Sequence, residues 1–145
     1  MSTLFDLAQQ SCQGDSPPPP VARLIGFTLT SITPGQASIA FEAGAQHTNP
    51  MGTLHGGILC DIADAAMGMA YASTLGEGET FTTLELKINF LKPVWHARLQ
   101  ATGRVVKQGR TVGLVECDII DSDAALVARA TSTCMTLRGD QGRGR

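Results

Sequence analysis

The residues of this sequence best suited to chemistry lie in a glycine-rich turn that leads into a predicted helix. The segment from Asn49 to Gly57 reads NPMGTLHGG, and apolar residues recur at helical spacing beyond it. The Gly56-Gly57 pair at the helix start lets a ligand approach the backbone with no Cβ in the way. Free amides at that point, together with the helix dipole, favour a developing negative charge, so they can form an oxyanion hole.

Two carboxylates follow on the same predicted helix. Asp61 lies nearer the helix start, where an acidic residue commonly compensates the helix dipole. Asp64 lies further along in a largely apolar setting, where a carboxylate can serve as a general base or a nucleophile. We therefore expect Asp64, rather than Asp61, to be the catalytic carboxylate.

The histidines and cysteines indicate neither a metal site nor a redox cofactor. His55 directly precedes the helix and is a candidate either for the site or for a capping role, whereas His47 and His96 have no partners in the pattern. The cysteines are widely spaced, without a C-x-x-C pair or a neighbouring histidine of the kind that zinc needs. These four residues are Cys12, Cys60, Cys117 and Cys134. We expect reduced, mostly buried thiols, and no cofactor.

Length and composition predict one domain in an oligomer. The chain has 145 residues and is 43% hydrophobic but only 17% charged, which is little ionic surface for a monomer. A net charge of −2 gives no reason to expect nucleic-acid or anionic-membrane binding. Residues 1–10 lack the basic start of a signal peptide, and each apolar stretch falls short of the about 20 residues that span a bilayer. We predict a cytoplasmic protein.

The elements that must position these residues form an α+β pattern. A short helix at 3–12, ended by the connector Pro17–Pro20, precedes one central, largely buried helix from Ile58 to about Gly76. Strands are predicted at 24–32, 37–41, 82–91, 97–107, 111–120 and 125–136. Short turns between the strands favour one antiparallel sheet curled around the helix. We divide the chain into an N-terminal helix and connector (1–20), the main domain (21–137) and a disordered tail (138–145).

The loop and helix resemble those of a known family. The pattern Asn-x-x-Gly-x-x-His-Gly-Gly with an acid nine residues after the histidine is similar to that of hotdog-fold thioesterases of the phenylacetate-degradation clade. The matching positions are Asn49, Gly52, His55, Gly56, Gly57 and Asp64. Leu91-Lys92-Pro93 and the turn from Lys107 to Arg110 extend the resemblance over roughly residues 21–137. The family's fold is an antiparallel sheet wrapped around one long helix.

The resemblance implies hydrolysis of an acyl-CoA thioester at a dimer interface. By this likeness the Gly56 amide polarises the thioester carbonyl, and Asp64 attacks it or directs water. Asn49 would position the water or nucleophile, and His55 would hold the thioester oxygen or the loop. Thr83 would hydrogen-bond the acid or the water, with its neighbour Thr82 as the alternative. The family also implies a homodimer with a continuous sheet, commonly paired into a homotetramer.

Basic residues at loop ends are candidates for holding the phosphates of CoA. Lys92, Lys107 and Arg110 can bind phosphate by charge-assisted hydrogen bonds, and Gly57 offers backbone approach. The alternative is that Lys107 and Arg110 merely solvate a β-turn.

Three other functions compete with hydrolysis. Hotdog folds also host hydratases and dehydratases, although these resemble different patterns. A non-catalytic acyl-CoA-binding protein would keep the groove without the carboxylate, and a purely structural oligomer would explain neither the glycines nor Asp64. The sequence leaves the acyl group open between aryl and medium-chain types, and does not separate nucleophilic from general-base action.

Overall fold

A computed structural model describes residues 2–144 as a six-stranded antiparallel sheet around one long helix. The helices are α1 (Leu4–Gln13), α2 (Pro20–Ile25) and α3 (Gly56–Ala72). The strands are β1 (Phe27–Thr33), β2 (Gln36–Ala43), β3 (Thr80–Phe90), β4 (Ala97–Gln108), β5 (Val112–Asp121) and β6 (Leu126–Leu137). Short 3-10 helices span Ala45–His47 and Gly139–Gly142. The predicted α+β class and central helix are confirmed.

The order of strands leaves the site next to a sheet edge. The sheet runs β1-β2-β4-β5-β6-β3, and each neighbouring pair is antiparallel. β3 therefore pairs with β6 along one side only, within the described chain, and its other side carries backbone groups available to another strand.

Helix α3 is buried because small residues let the sheet approach it closely. It packs chiefly against β4, β2 and β5, and Ile62, Ala66 and Met67 have no exposed surface. A Cβ added at Gly103 on β4 would lie 2.5 Å from the carbonyl oxygen of Ala66. Only glycine allows the backbones of strand and helix to come this near.

The outer face of the sheet is polar and ion-paired. Arg104 contacts Glu116 at 2.8 Å and Asp118 at 3.7 Å, and Arg129 donates to Asp118 at 2.7 Å and 3.1 Å. Glu85 of β3 accepts a hydrogen bond from Thr133 on the neighbouring strand β6 at 2.9 Å.

The N-terminal region differs from the prediction. Helix α1 ends at Gln13 because Gly14 adopts a left-handed conformation (φ 80°) and caps it, so the proline run is not what stops it. Pro20 is the first residue of α2, where its missing amide costs nothing, and the strand expected from Leu24 begins only at Phe27. Apolar residues in so short a run do not distinguish a helical turn from a strand.

The C-terminal tail and the lengths of the helices complete the description of the fold. The tail expected to be disordered holds one 3-10 turn over Gly139–Gly142, and Arg145 lies outside the described residues. Across residues 2–144, every helix is too short or too polar to traverse a lipid bilayer.

Candidate active site

His55 caps the helix that carries both carboxylates. Its Nδ1 accepts a hydrogen bond from the Gly57 amide at 2.9 Å, and its own amide donates to the His47 carbonyl at 2.9 Å. Because Nδ1 is an acceptor, the proton of a neutral ring lies on Nε2 and faces away from the helix. The imidazole thus holds the loop in place and leaves one donor free.

His47 has a structural role. The side chain is buried, its Nδ1 accepts from the Gly44 amide at 3.0 Å, and its Nε2 lies 2.7 Å from the Ile25 carbonyl oxygen. The ring therefore ties the loop before α3 to the end of α2, and both of its nitrogens are used.

Asn49 is turned into its own loop. Its Oδ1 accepts from the amides of Met51 and Thr53 at 2.9 Å and 3.2 Å, and its Nδ2 donates to the Thr53 hydroxyl at 2.8 Å. These bonds use both lone pairs of the side-chain oxygen and one of the two amide hydrogens. Asn49 shapes the turn, and one N–H remains for the water-positioning role suggested for it.

The Gly56 amide is the free donor at the start of α3. The Gly57 amide is taken by His55, whereas no acceptor within residues 2–144 pairs with the amide of Gly56. A Cβ added at Gly56 would lie 2.7 Å from Cζ of Phe90, so the Phe90 ring covers this position. Phe90 was not among the predicted site residues, although its place on β3 after Ile88 put it on the face turned towards the helix.

Asp64 faces β3 and contacts Thr83. The Thr83 hydroxyl donates to Asp64 Oδ1 at 3.4 Å, and it also lies 3.9 Å from the buried Cys134 sulfur. Surrounding protein atoms desolvate the carboxylate and raise its pKa, an effect that the hydrogen bond from Thr83 opposes. Asp64 is exposed in the single protomer, but residues of α3 and β3 lie on two sides of its carboxylate and exclude water there.

A β-bulge determines that Thr83, not Thr82, meets Asp64. Thr83 pairs with Cys134 and Glu85 with Thr133, so Leu84 is the extra residue. Counting back by twos from Phe90 would turn Thr82 towards the helix, but the extra residue reverses the alternation.

Asp61 lies one turn before Asp64 and points to the same region. Burial, and then the charge of Asp64, raises the pKa of Asp61. One of its carboxylate oxygens, Oδ2, is buried without a hydrogen-bond partner within the described chain. Neither acid has an ion pair with a basic side chain of residues 2–144.

An apolar groove and a shallower cleft meet at these residues. The groove, about 1520 Å³, runs between α1, α3, β1 and the start of β3. The cleft, about 430 Å³, lies between the first turns of α3 and the middle of β3 and is lined by Gly57 and Cys60. The residues that line both cavities are Asp61, Asp64 and Thr83. A bond to be cleaved at this junction can place one part of its molecule in each cavity.

The three predicted phosphate-binding side chains do not converge in one protomer. Lys92 follows the end of β3 and pairs with Asp121, at the end of the sheet where Phe90 covers Gly56. Lys107 and Arg110 lie at the β4–β5 turn. Val112, just after this turn, pairs with Met135 of β6, and Met135 also pairs with Thr82 near the start of β3, so the turn lies at that end of the sheet. Since β3 has 11 residues, these ends are about 30 Å apart.

Comparisons with known proteins agree on one family. The sequence profile of the Thioesterase superfamily matches residues 51–128, a range that begins after Asn49 and contains the His-Gly-Gly turn, α3 and β3. Human acyl-coenzyme A thioesterase 13 is 29% identical over 114 residues, which cover 77% of this chain and 81% of that protein. Medium/long-chain acyl-CoA thioesterase YigI of Escherichia coli is 25% identical over 131 residues, covering 80% and 84%. The structure of Escherichia coli PaaI, from the phenylacetic acid degradation operon, has a TM-score of 0.82 at 26% identity, covering 94% of this chain and 98% of that one.

Proposed function

Since the chain belongs to the thioesterase superfamily, among hotdog-fold proteins similar to PaaI, we propose that it hydrolyses acyl-CoA at Asp64. The superfamily match and the thioesterases among its relatives make it a thioester hydrolase, and acyl-CoA is the substrate named for those relatives. The superfamily match and these relatives argue against a hydratase and against a non-catalytic acyl-CoA-binding protein. The observation that carries the proposal is Asp64 itself, a carboxylate without a basic partner in the described chain, placed where the groove and the cleft meet.

The proposed reaction needs one acid and one amide. Asp64 takes a proton from water as the water oxygen bonds to the thioester carbon, and the resulting oxyanion accepts a hydrogen bond from a Gly56 amide. The carbon–sulfur bond then breaks, and the CoA sulfur leaves with the proton held by Asp64. A raised pKa suits a general base near neutral pH, and one preorganised donor contributes about 3 kcal/mol. In the nucleophilic variant, Asp64 itself bonds to the carbon, the carbon–sulfur bond breaks and the CoA thiolate leaves. Water then cleaves the mixed anhydride to the free acid and the Asp64 carboxylate, and the proton released from that water goes to the thiolate.

A dimer supplies the amide that a single chain places too far away. Gly56 and Asp64 are eight residues apart on α3, which is about 12 Å along the axis, while one thioester group is much smaller. The unpaired edge of β3 suits antiparallel pairing with β3 of a second copy about a twofold axis. The two α3 helices then run in opposite directions, and Asp64 faces Gly56 of the partner subunit. A homodimer, or a homotetramer of two dimers, follows from this proposal.

The same symmetry brings the basic residues together. Antiparallel pairing of two β3 strands places the start of one beside the end of the other, so Lys107 and Arg110 approach the partner's Lys92. In such a dimer the three side chains can hold the phosphates of one CoA while Gly57 lines its path. A cytoplasmic location stays a prediction.

Subunit complementation tests the catalytic residues and the shared site together. Thiol release from a panel of acyl-CoAs is measured for the wild type, for Asp64→Asn, for Gly56→Ala, and for the two variants mixed after unfolding and refolding. Asp64→Asn removes the base. Gly56→Ala keeps the amide but adds a Cβ 2.7 Å from Phe90 Cζ, which displaces that amide from the carbonyl oxygen. Each variant alone should lose about a hundredfold or more. Mixed dimers regain one intact site, so random mixing should restore about a quarter of wild-type activity.

Each outcome of this test is decisive. Full activity of Asp64→Asn, or no turnover of any thioester by the wild type, contradicts the proposed function. Loss in both variants without recovery on mixing, although size measurements show mixed dimers, contradicts the shared site and leaves the reaction within one chain. A refolded wild-type sample is the control for losses during mixing.

A further inference from the structure

The groove beside Asp64 has the form of a channel for an extended apolar chain. Its lining is largely apolar and comes from the three helices, the connector before α2 and the strands β1, β2 and β3, and it includes Asp61 and Asp64. Representative lining residues are Leu4, Leu7, Phe27, Leu29, Ala65 and Met69. A shape open along one side and closed by a helix suits a flexible ligand rather than a compact one.

The floor of the groove follows one face of α3. Beyond Asp64 it consists of Ala65, Gly68, Met69 and Ala72, at the spacing that aligns residues along a helix. Most of these side chains are small, so a ligand can lie close to the helix backbone. From Asp64 to Ala72 the floor measures about 12 Å.

This length corresponds to a medium acyl chain. Carbon–carbon bonds of about 1.5 Å in a zigzag advance about 1.25 Å each, so about 12 Å holds about ten carbons. A phenylacetyl group is about half as long and would leave the far part of the groove without apolar contacts.

Helix α1 forms the wall opposite the floor. Thr3 and Asp6 make a capping box at its start, so the helix is stabilised locally, and Ala8 is buried against the domain. Leu7 lines the groove and is half exposed, which leaves room for a larger side chain at this position. The connector and α2 continue this wall, and Leu7 on α1 is a position at which one residue can change the width of the groove.

We propose that the acyl chain of the substrate lies between α1 and α3, that Leu7 sets the width of the groove around it, and that saturated chains of about ten carbons are preferred to short aryl groups. This inference rests on the proposed thioester hydrolysis. The carbonyl carbon of such a chain lies beside Asp64, and the thiol part leaves through the cleft lined by Gly57. The free acid produced carries a negative charge next to Asp61 and Asp64, and this repulsion favours its release.

The test is a chain-length profile for three proteins. Values of kcat/KM are measured with saturated acyl-CoAs from acetyl to palmitoyl and with phenylacetyl-CoA, for the wild type, Leu7→Trp and Gln9→Trp. Gln9 is exposed on the same helix and does not line the groove, so it is the matched control. For the wild type, kcat/KM should rise about fourfold per methylene, up to about ten carbons. Leu7→Trp should lower the decanoyl-to-butyryl ratio at least about tenfold, and Gln9→Trp should not change it.

A binding measurement separates failure of this inference from failure of the proposed function. S-decyl-CoA and S-ethyl-CoA, thioethers that cannot be hydrolysed, are titrated calorimetrically into the same three proteins. Tighter binding of the decyl compound, weakened by Leu7→Trp but not by Gln9→Trp, supports the groove even if no thioester is cleaved. A flat length profile, a preference for phenylacetyl-CoA, or equal effects of the two tryptophan variants would overturn the inference and leave thioester hydrolysis standing.

Discussion

Acidic side chains occur on both sides of the sheet, and their surroundings are opposite. On the outer face Asp118 accepts hydrogen bonds from Arg129, which lower its pKa, and Arg104 adds to the effect. On the inner face the hydrogen-bond partner of Asp64 within residues 2–144 is the neutral hydroxyl of Thr83, and burial raises the pKa of Asp64. The same residue type is thus stabilised as an anion in one place and destabilised in the other. The raised pKa makes Asp64 the better proton acceptor of the two, so the lack of a basic partner within residues 2–144 is itself a functional feature.

The largest expected difference between the two acids is in catalysis. Asp64→Asn should reduce kcat/KM for the best acyl-CoA by about a hundredfold or more, because the amide cannot accept the proton. Asp118→Asn, the matched control, should stay within about twofold of the wild type, since its ion pairs lie on the other face. Steady-state thiol release measures both. Similar losses in the two variants would mean that folding, rather than chemistry, accounts for the effect.

A smaller effect should follow from Thr83, the neutral partner of Asp64. The hydrogen bond from Thr83 lowers the pKa of Asp64, so Thr83→Val should raise that pKa further and move the acid limb of the kcat/KM profile to higher pH. We expect about a tenfold loss at neutral pH. Thr83→Ser keeps the hydroxyl and should restore the wild-type profile. An unchanged limb in Thr83→Val would show that Asp64 is not the group titrating in it.

The smallest effect is on stability, and its sign should differ between the two faces. Because the pKa of Asp64 is higher in the folded than in the unfolded protein, the free energy of unfolding falls as pH rises from 3.8 through the folded-state pKa. Asp64→Asn does not carry this ionised group, so it should melt at a higher temperature than the wild type at pH 7. The lowered pKa of Asp118 stabilises the folded protein at pH values above 3.8, the ordinary pKa of an aspartate. Asp118→Asn should therefore lower the free energy of unfolding by about 1 kcal/mol or less, and should melt at a lower temperature than the wild type.

Thermal melts from pH 3 to pH 8 check this pair of signs. Both differences from the wild type should fade as pH falls, because protonation removes the charge that each variant lacks. If Asp64→Asn were instead the less stable variant at pH 7, the carboxylate would be held by a favourable contact, and its assignment as an unpaired base would be wrong.

Much of the fold follows from local patterns. Helical spacing after Gly57, the predicted strands and the short turns between them predicted the α+β class, the central helix and the antiparallel sheet. The errors lie where short apolar runs permit two structures. Leu24 and Ile25, predicted to start a strand, are the last residues of α2, because Pro20 starts a helix as readily as it ends one.

The sequence by itself supplied the candidate groups. The Gly56 amide and the carboxylate of Asp64 came from turn and helix signals, which depend on neighbouring residues, and the threonine hydroxyl came from the family resemblance. The tertiary structure decided which of these groups meet. The bulge at Leu84 selects Thr83 over Thr82, the sheet order separates Lys92 from Lys107, and α1 folds back to wall the groove. Each of these depends on pairing between segments distant in the chain, and one residue of register reverses which side chains face the helix.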